Sequence, residues 1–351
     1  MSIGIKSFCS RVSRRENLSS VRSSNFHNWI IESSAIAKKK FLIIGGTGFI
    51  GGALVRALIN MDETVHCLAF ADRNQKSRLS SIRGNRVVVA AKNDSTEIQR
   101  ALAGVRPDII INLAGGGVRP DERTAANLSD GNSRLTLNLL HGCVNDPPEL
   151  FIQAGSWSEY SISVDRRPIA EDHLLTTKHR YGAAKSAATG EGLTAAGQLG
   201  ISFVALRLFN VYGPGEAPFR LIPFIIDHLY RHMEVPLTMG DQVRDFIFID
   251  DVVSAFIEAA RSDSLTPGGV YNICTGNPAS VRHVAERVAR ALKRPTALLR
   301  FGDLSSRTDE PKWVVGDGRK FRLATHWLPK TVLDQGITKT VDHYFRLGHD
   351  Q

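Results

Sequence analysis

From Phe41 onward, short apolar or β-branched runs alternate with stretches in which apolar residues recur every three to four positions. The runs suit strands buried on both faces, and the longer period suits helices laid over them. The pattern predicts strands over 41–44, 64–68, 86–90, 108–113, 151–154 and 202–207. It predicts helices over 49–60, 95–103, 132–145 and 181–199. Strand and helix in alternation specify an α/β fold, a doubly wound parallel Rossmann sheet. After Pro214 the period loosens and prolines punctuate shorter segments. Residues 215–351 are therefore expected to form mainly a smaller C-terminal substrate-binding lobe, partly interleaved with a dinucleotide-binding domain over 40–214.

Residues 1–39 carry no sustained apolar period and read as a disordered basic extension. Its Ser-rich, Arg-rich composition suits a transit peptide, and the plainer reading is an extension without function. Of the net charge of +9, six units belong to residues 1–40, where eight Lys/Arg face two acids, so the rest of the chain is nearly neutral. That distribution argues against a nucleic-acid-binding face. No apolar run reaches the roughly 18 residues that would span a bilayer, so no membrane partner is expected. Cys9, Cys67, Cys143 and Cys274 stand far apart, which indicates neither a disulfide framework nor a zinc knuckle and suits a reducing, cytoplasmic compartment. The eleven histidines form no helical metal-binding pair, and no metal is expected.

The first strand runs into Gly45-Gly46-Thr47-Gly48-Phe49-Ile50-Gly51 and then a helix. Glycines here permit positive φ, close approach of a pyrophosphate and tight helix-to-strand packing, and the free N–H groups of the helix start attract the anion. In this strand–turn–helix context the spacing indicates a dinucleotide coenzyme. The candidate contacts are Gly45, Thr47, Gly48, Phe49, Ile50 and Gly51, with Leu113, Ala114 and Gly115 after the fourth strand. A carboxylate at the end of the second strand would hold the adenosine ribose, but that position is Ala69. Nothing there repels a 2′-phosphate, and Arg73 is placed to pair with it, so NADP(H) is favoured over NAD(H). The alternative leaves Arg73 a solvated charge, with Asp72 serving the ribose. Asp94 is a candidate adenine contact or an exposed turn residue.

Tyr181 and Lys185 stand at i,i+4, on one face of a helix. A phenol titrates near 10, and an adjacent cation lowers it, so Tyr181 is the candidate acid/base and Lys185 its tuner. Upstream, the fifth strand empties into Gly155-Ser156-Trp157-Ser158-Glu159, at the end of the sheet where ligands bind. Ser156, or alternatively Ser158, is placed to donate to a substrate oxygen.

These motifs, with Asn112-Leu113-Ala114-Gly115, Asn132, Arg207-Leu208-Phe209-Asn210-Val211-Tyr212-Gly213-Pro214 and the run from Arg244 to Asp251, resemble the extended short-chain dehydrogenase/reductase family. Its members are NAD(P)-dependent nucleotide-sugar epimerases, dehydratases and reductases. The resemblance implies a nucleotide-sugar substrate, Ser156, Tyr181 and Lys185 as catalytic residues, and Asn210, Arg244 and Arg307 as nucleotide-sugar contacts. Bidentate guanidinium groups suit a diphosphate, although Arg244 beside Asp245 also suits a structural ion pair. A homodimer paired through the Tyr181 helix is implied as well.

Dehydratases of that family follow the catalytic Ser or Thr with an acid pair, whereas Trp157 and Ser158 stand here and Glu159 comes one position late. The segment from Arg207 to Phe256, which includes the stretch from Pro214 to Asp227, is most similar to 4-keto-6-deoxyhexose reductases of the CDP-abequose synthase kind. The expected reaction is reduction at C4 of such a sugar by NADPH. A 4-epimerase and a non-catalytic dinucleotide-binding regulator are the alternatives. Phe209, Phe219 and Phe224 are expected in the core.

Overall fold

The computed structural model describes residues 38–70, 86–90, 92–117, 119–161, 165–306 and 310–348. Arg73, Asp72, Arg307 and nearly all of the basic extension lie outside the described residues. Among the described residues no helix is long and apolar enough to cross a membrane.

All six expected strands pair in one parallel sheet: β1 (Lys40–Ile44), β2 (Thr64–Phe70), β3 (Arg86–Ala90), β4 (Ile109–Asn112), β5 (Leu150–Ser156) and β6 (Phe203–Leu208). Their spatial order is β3-β2-β1-β4-β5-β6, the doubly wound Rossmann arrangement. Phe41, Leu42, Ile43 and Ile44 are all buried, as a central strand covered on both faces requires. The helices over the first half are α1 (Phe49–Asn60), α2 (Ser95–Leu102), α3 (Ala125–Gly131), α4 (Ser133–Gly142) and α5 (Arg180–Leu199).

The helix expected over 132–145 starts one residue later and ends three earlier, and a second helix precedes it. Asn132 sits at the junction with φ −122° and ψ −91°, donating from Nδ2 to the carbonyls of Gly116 and Leu128. These bonds tie the break to the loop after β4. In turn, β2 runs two residues beyond its expected end at 68, so Ala69 is buried inside the strand and not at its tip.

The second half supplies β7 (Asn210–Tyr212), α6 (Leu221–Tyr230), β8 (Val235–Leu237), β9 (Val243–Phe248), α7 (Ile249–Arg261), β10 (Val270–Ile273), β11 (Pro278–Ser280) and α8 (Val281–Ala291). It continues with β12 (Leu299–Phe301), β13 (Trp313–Val314), α9 (Arg319–Thr325) and α10 (Leu333–Gly348). Strands β7, β9, β11 and β13 form a small sheet, and β8 pairs with β12. β10, unforeseen in the sequence, returns to the large sheet as its seventh strand, paired in parallel with β6 from Val270↔Ala205 to Ile273↔Leu208. Phe209 is buried as expected, but Phe219 is 44% exposed, with the Arg119 guanidinium over its ring.

Candidate active site

The strand order reverses between β1 and β4, and in doubly wound sheets the crevice at the carboxyl ends of such a pair is where ligands bind. The glycine turn follows β1 into this crevice. Gly45 has φ +82°, and a Cβ on it would lie 2.9 Å from the Ala114 nitrogen, so the turn rests on the segment after β4. The Gly48 N–H donates to the Gly45 carbonyl at 3.0 Å, and a Cβ on Gly51 would run into that same oxygen. No side chain caps α1, so its first N–H groups are left for a ligand.

Across the crevice, Gly115 leaves an open face. A Cβ there would sit 3.3 Å from Asn132 Oδ1, a buried acceptor with no hydrogen-bond partner, and 3.5 Å from Lys185 Nζ. An anion cradle on one side and unspent polar atoms on the other fit a dinucleotide. Gly45–Gly51 would hold its diphosphate, and Leu113–Gly115 with Lys185 its nicotinamide half. Alanine at Gly51 is expected to cost roughly 1–3 kcal/mol of stability and to abolish detectable coenzyme binding in a calorimetric titration; wild-type affinity would refute this use of the turn.

Ser156 ends β5 and opens a single 3₁₀ turn, Trp157–Glu159. Its Oγ accepts the Ser158 N–H at 3.2 Å and the Ser158 hydroxyl at 2.9 Å. With both lone pairs used, the Ser156 hydroxyl hydrogen is left to donate. Ser158 thus orients Ser156. Glu159 is fully buried: Oε1 accepts the Ser156 N–H and Oε2 the Arg207 Nε–H, each at 2.8 Å. The acid that comes one position late is therefore a strut bracing the end of β5, with both oxygens engaged.

The start of α5 presses on this turn. A Cβ on Gly182 would overlap the Ser158 carbonyl oxygen, and glycine there lets Tyr181 sit beside the Ser156 turn. One turn on, Lys185 is buried and its Nζ donates to the Ala154 carbonyl at 2.6 Å. The electrostatics differ from the expectation. Burial pushes the Tyr181 phenol above its ordinary value and Glu159 adds to this, while Arg220 and Arg123 pull the other way. Burial likewise pulls the Lys185 ammonium down, countered by Glu159. Lys185 Nζ is hydrogen-bonded to a backbone carbonyl, and the charges that pull the phenol down include those of Arg220 and Arg123.

Sequence reasoning missed the arginines. The Arg123 guanidinium lies over the Tyr181 ring, 5.3 Å from its centroid, and Arg220 Nε donates to Glu216 Oε1 at 3.3 Å. Both were visible as signals: Arg123 in the charged stretch that follows the glycine triplet after β4, and an acid and a base four apart just before α6.

The remaining expected residues have structural partners. Asp94 caps α2, its Oδ1 accepting the N–H groups of Thr96 and Glu97 at 3.0 and 3.3 Å. Asn210 Nδ2 donates to the Asp245 carbonyl at 3.3 Å. Arg244 is paired, but with Glu310 at 2.9 Å and not with its neighbour. Asp245 is spent on Thr275, Gly276 and Gly316. Among the described residues no cluster could hold a metal ion, and Cys67, Cys143 and Cys274 are free and buried.

A family model for the NAD dependent epimerase/dehydratase family matches residues 41–274, from the glycine turn through β10. The chain belongs to that family. It is an NAD(P)-dependent enzyme, and the resemblance read from its motifs holds. Among curated relatives of this epimerase/dehydratase, CDP-abequose synthase of Salmonella typhimurium is 27% identical over 312 residues, covering 86% of this chain and 96% of that enzyme. The dTDP-6-deoxy-L-talose 4-dehydrogenase (NAD(P)(+)) of Kitasatospora kifunensis is also 27% identical over 312 residues, covering 86% of this chain and 94% of its own. Among solved structures, MoeE5 in complex with UDP-glucuronic acid and NAD is 29% identical, with a TM-score of 0.76 over 88% of this chain and 99% of that one.

Proposed function

We propose that this enzyme reduces C4 of an NDP-4-keto-6-deoxyhexose, with NADPH as the hydride donor. The observation that carries this reading is the pair of donors beside the crevice. Ser156 has a hydroxyl hydrogen left to give and Tyr181 a phenolic proton, while the one nearby acid, Glu159, is locked between Ser156 and Arg207. Two hydrogen-bond donors of this kind suit the reduction of a ketone. Elimination of water needs a free carboxyl group, and Glu159 is not free.

The coenzyme supplies the hydride when bound. As charge grows on the C4 oxygen, Ser156 donates a hydrogen bond to it and Tyr181 transfers its proton. Lys185, fixed on the Ala154 carbonyl, keeps its remaining N–H groups for the coenzyme ribose. Two relatives named for nucleotide-linked sugars, one of them a 6-deoxy sugar, support the substrate class. Phe70 closes β2 without a carboxylate, which supports NADPH.

The test is the fate of the reduced coenzyme. With a 4-keto-6-deoxy sugar nucleotide, absorbance at 340 nm should fall by one equivalent per product, faster with NADPH than with NADH. Interconversion of two sugars at constant absorbance would overturn this reading in favour of an epimerase.

A further inference from the structure

The phenol of Tyr181 is faced by charges from four elements. Lys185 stands on its own helix but is held on the Ala154 carbonyl. Glu159 comes from the turn after β5, Arg123 from the loop after β4, and Arg220 from the residue before α6. Arg123 lies over the Tyr181 ring and donates from Nε to the Gly117 carbonyl at 3.1 Å. No carboxylate pairs with it among the described residues. Arg119, paired with Asp121 and Glu122, stacks on Phe219, next to Arg220, so the loop after β4 and the loop before α6 meet at this mouth.

Behind Arg220 stands an unusual acid. The Glu216 side chain is 7% exposed, one oxygen takes the Arg220 Nε–H, and the other is buried with no partner. Burial pushes this carboxyl up to about 7, against the pull of Arg220. A surface ion pair would leave both groups in water and hold neither in place. Here the acid is fixed in the protein and the half-exposed guanidinium is tethered to it, beside Tyr181.

We propose that Arg123 and Arg220, the second held by Glu216, are positioning residues that stabilise the Tyr181 phenolate left when its proton has passed to the substrate oxygen. The step balances within the site. The phenolic O–H bond breaks, the proton forms an O–H bond on the alkoxide, and the electron pair stays on the phenol oxygen, with the Arg123 guanidinium over the ring and the Arg220 charge acting on it. The proposal rests on the acid/base role given to Tyr181 above.

The test titrates Tyr181 directly, in enzyme labelled with ¹³Cζ-tyrosine and without substrate, its resonance assigned by loss in Tyr181→Phe. Arg123→Met and Arg220→Met should each raise the midpoint by about 0.5–1 unit, the lower figure for the half-exposed Arg220. Glu216→Ala, which frees Arg220 from its tether, should raise it by up to the Arg220→Met figure. Arg220→Lys should restore most of the wild-type value, and the alkaline limb of the rate profile should move in the same directions. Unchanged midpoints in both methionine variants, or a Glu216→Ala shift opposite in sign to that of Arg220→Met, would overturn the proposal. Arg123→Gln and Arg220→Gln serve if a methionine variant does not fold. Because no substrate enters the titration, an enzyme that consumes no NADPH while its midpoints shift as expected would cost only the reductase reading.

Discussion

Replacing Tyr181 by phenylalanine is expected to cut kcat by about 10²–10⁴-fold, the ordinary worth of a positioned general acid, while KM, coenzyme binding and thermal midpoint stay near wild type. The substitution removes one oxygen and keeps the ring, so the stack with Arg123 and the packing of α5 on the Ser156 turn are retained. Lys185 stays anchored on Ala154. Single-turnover absorbance at 340 nm checks the chemistry, and a coenzyme titration with calorimetric melting checks the rest. Activity within tenfold of wild type would remove Tyr181 from the proton's route.

Glu159 should show the largest loss of stability. Its carboxylate and the Arg207 guanidinium are both buried, 2.8 Å apart, and Arg207 also lies 4.6 Å from the centre of the Tyr160 ring. Alanine at 159 would strand that guanidinium among the carboxyl ends of β5 and β6 and free the Ser156 N–H. Removing one member of a buried pair costs roughly 3–5 kcal/mol. Replacing both by apolar residues of similar volume, Glu159→Leu with Arg207→Met, should recover most of it. Urea denaturation reads both results. An alanine variant that unfolds at the wild-type midpoint would show that the pair contributes nothing.

The parts legible in the sequence were those whose cause is local. The run Phe41 to Ile44 announces a central strand because every side chain in it is apolar, and the glycines after it announce the turn because no other residue fits Gly45 or Gly51. The Tyr181–Lys185 spacing is local too. What escaped detection depends on partners distant in the chain. Val270–Ile273 is a strand only because β6 offers it an edge, and its four residues carry no period of their own. Helices α3 and α4 part at Asn132 because its amide is claimed by Gly116 and Leu128. The charges around Tyr181 come from loops that the sheet brings together, so helical spacing alone did not reveal Arg123 and Arg220. Arg244 beside Asp245 suggested a pair, but the fold gave each a different partner.

The return of β10 to the outer edge of the large sheet limits where this chain can be cut. A fragment ending at Pro214 would leave the backbone of β6 unzipped along one side, an invitation to clump with its own copies. Residues 40–214 are thus no cassette that could be excised without exposing that edge.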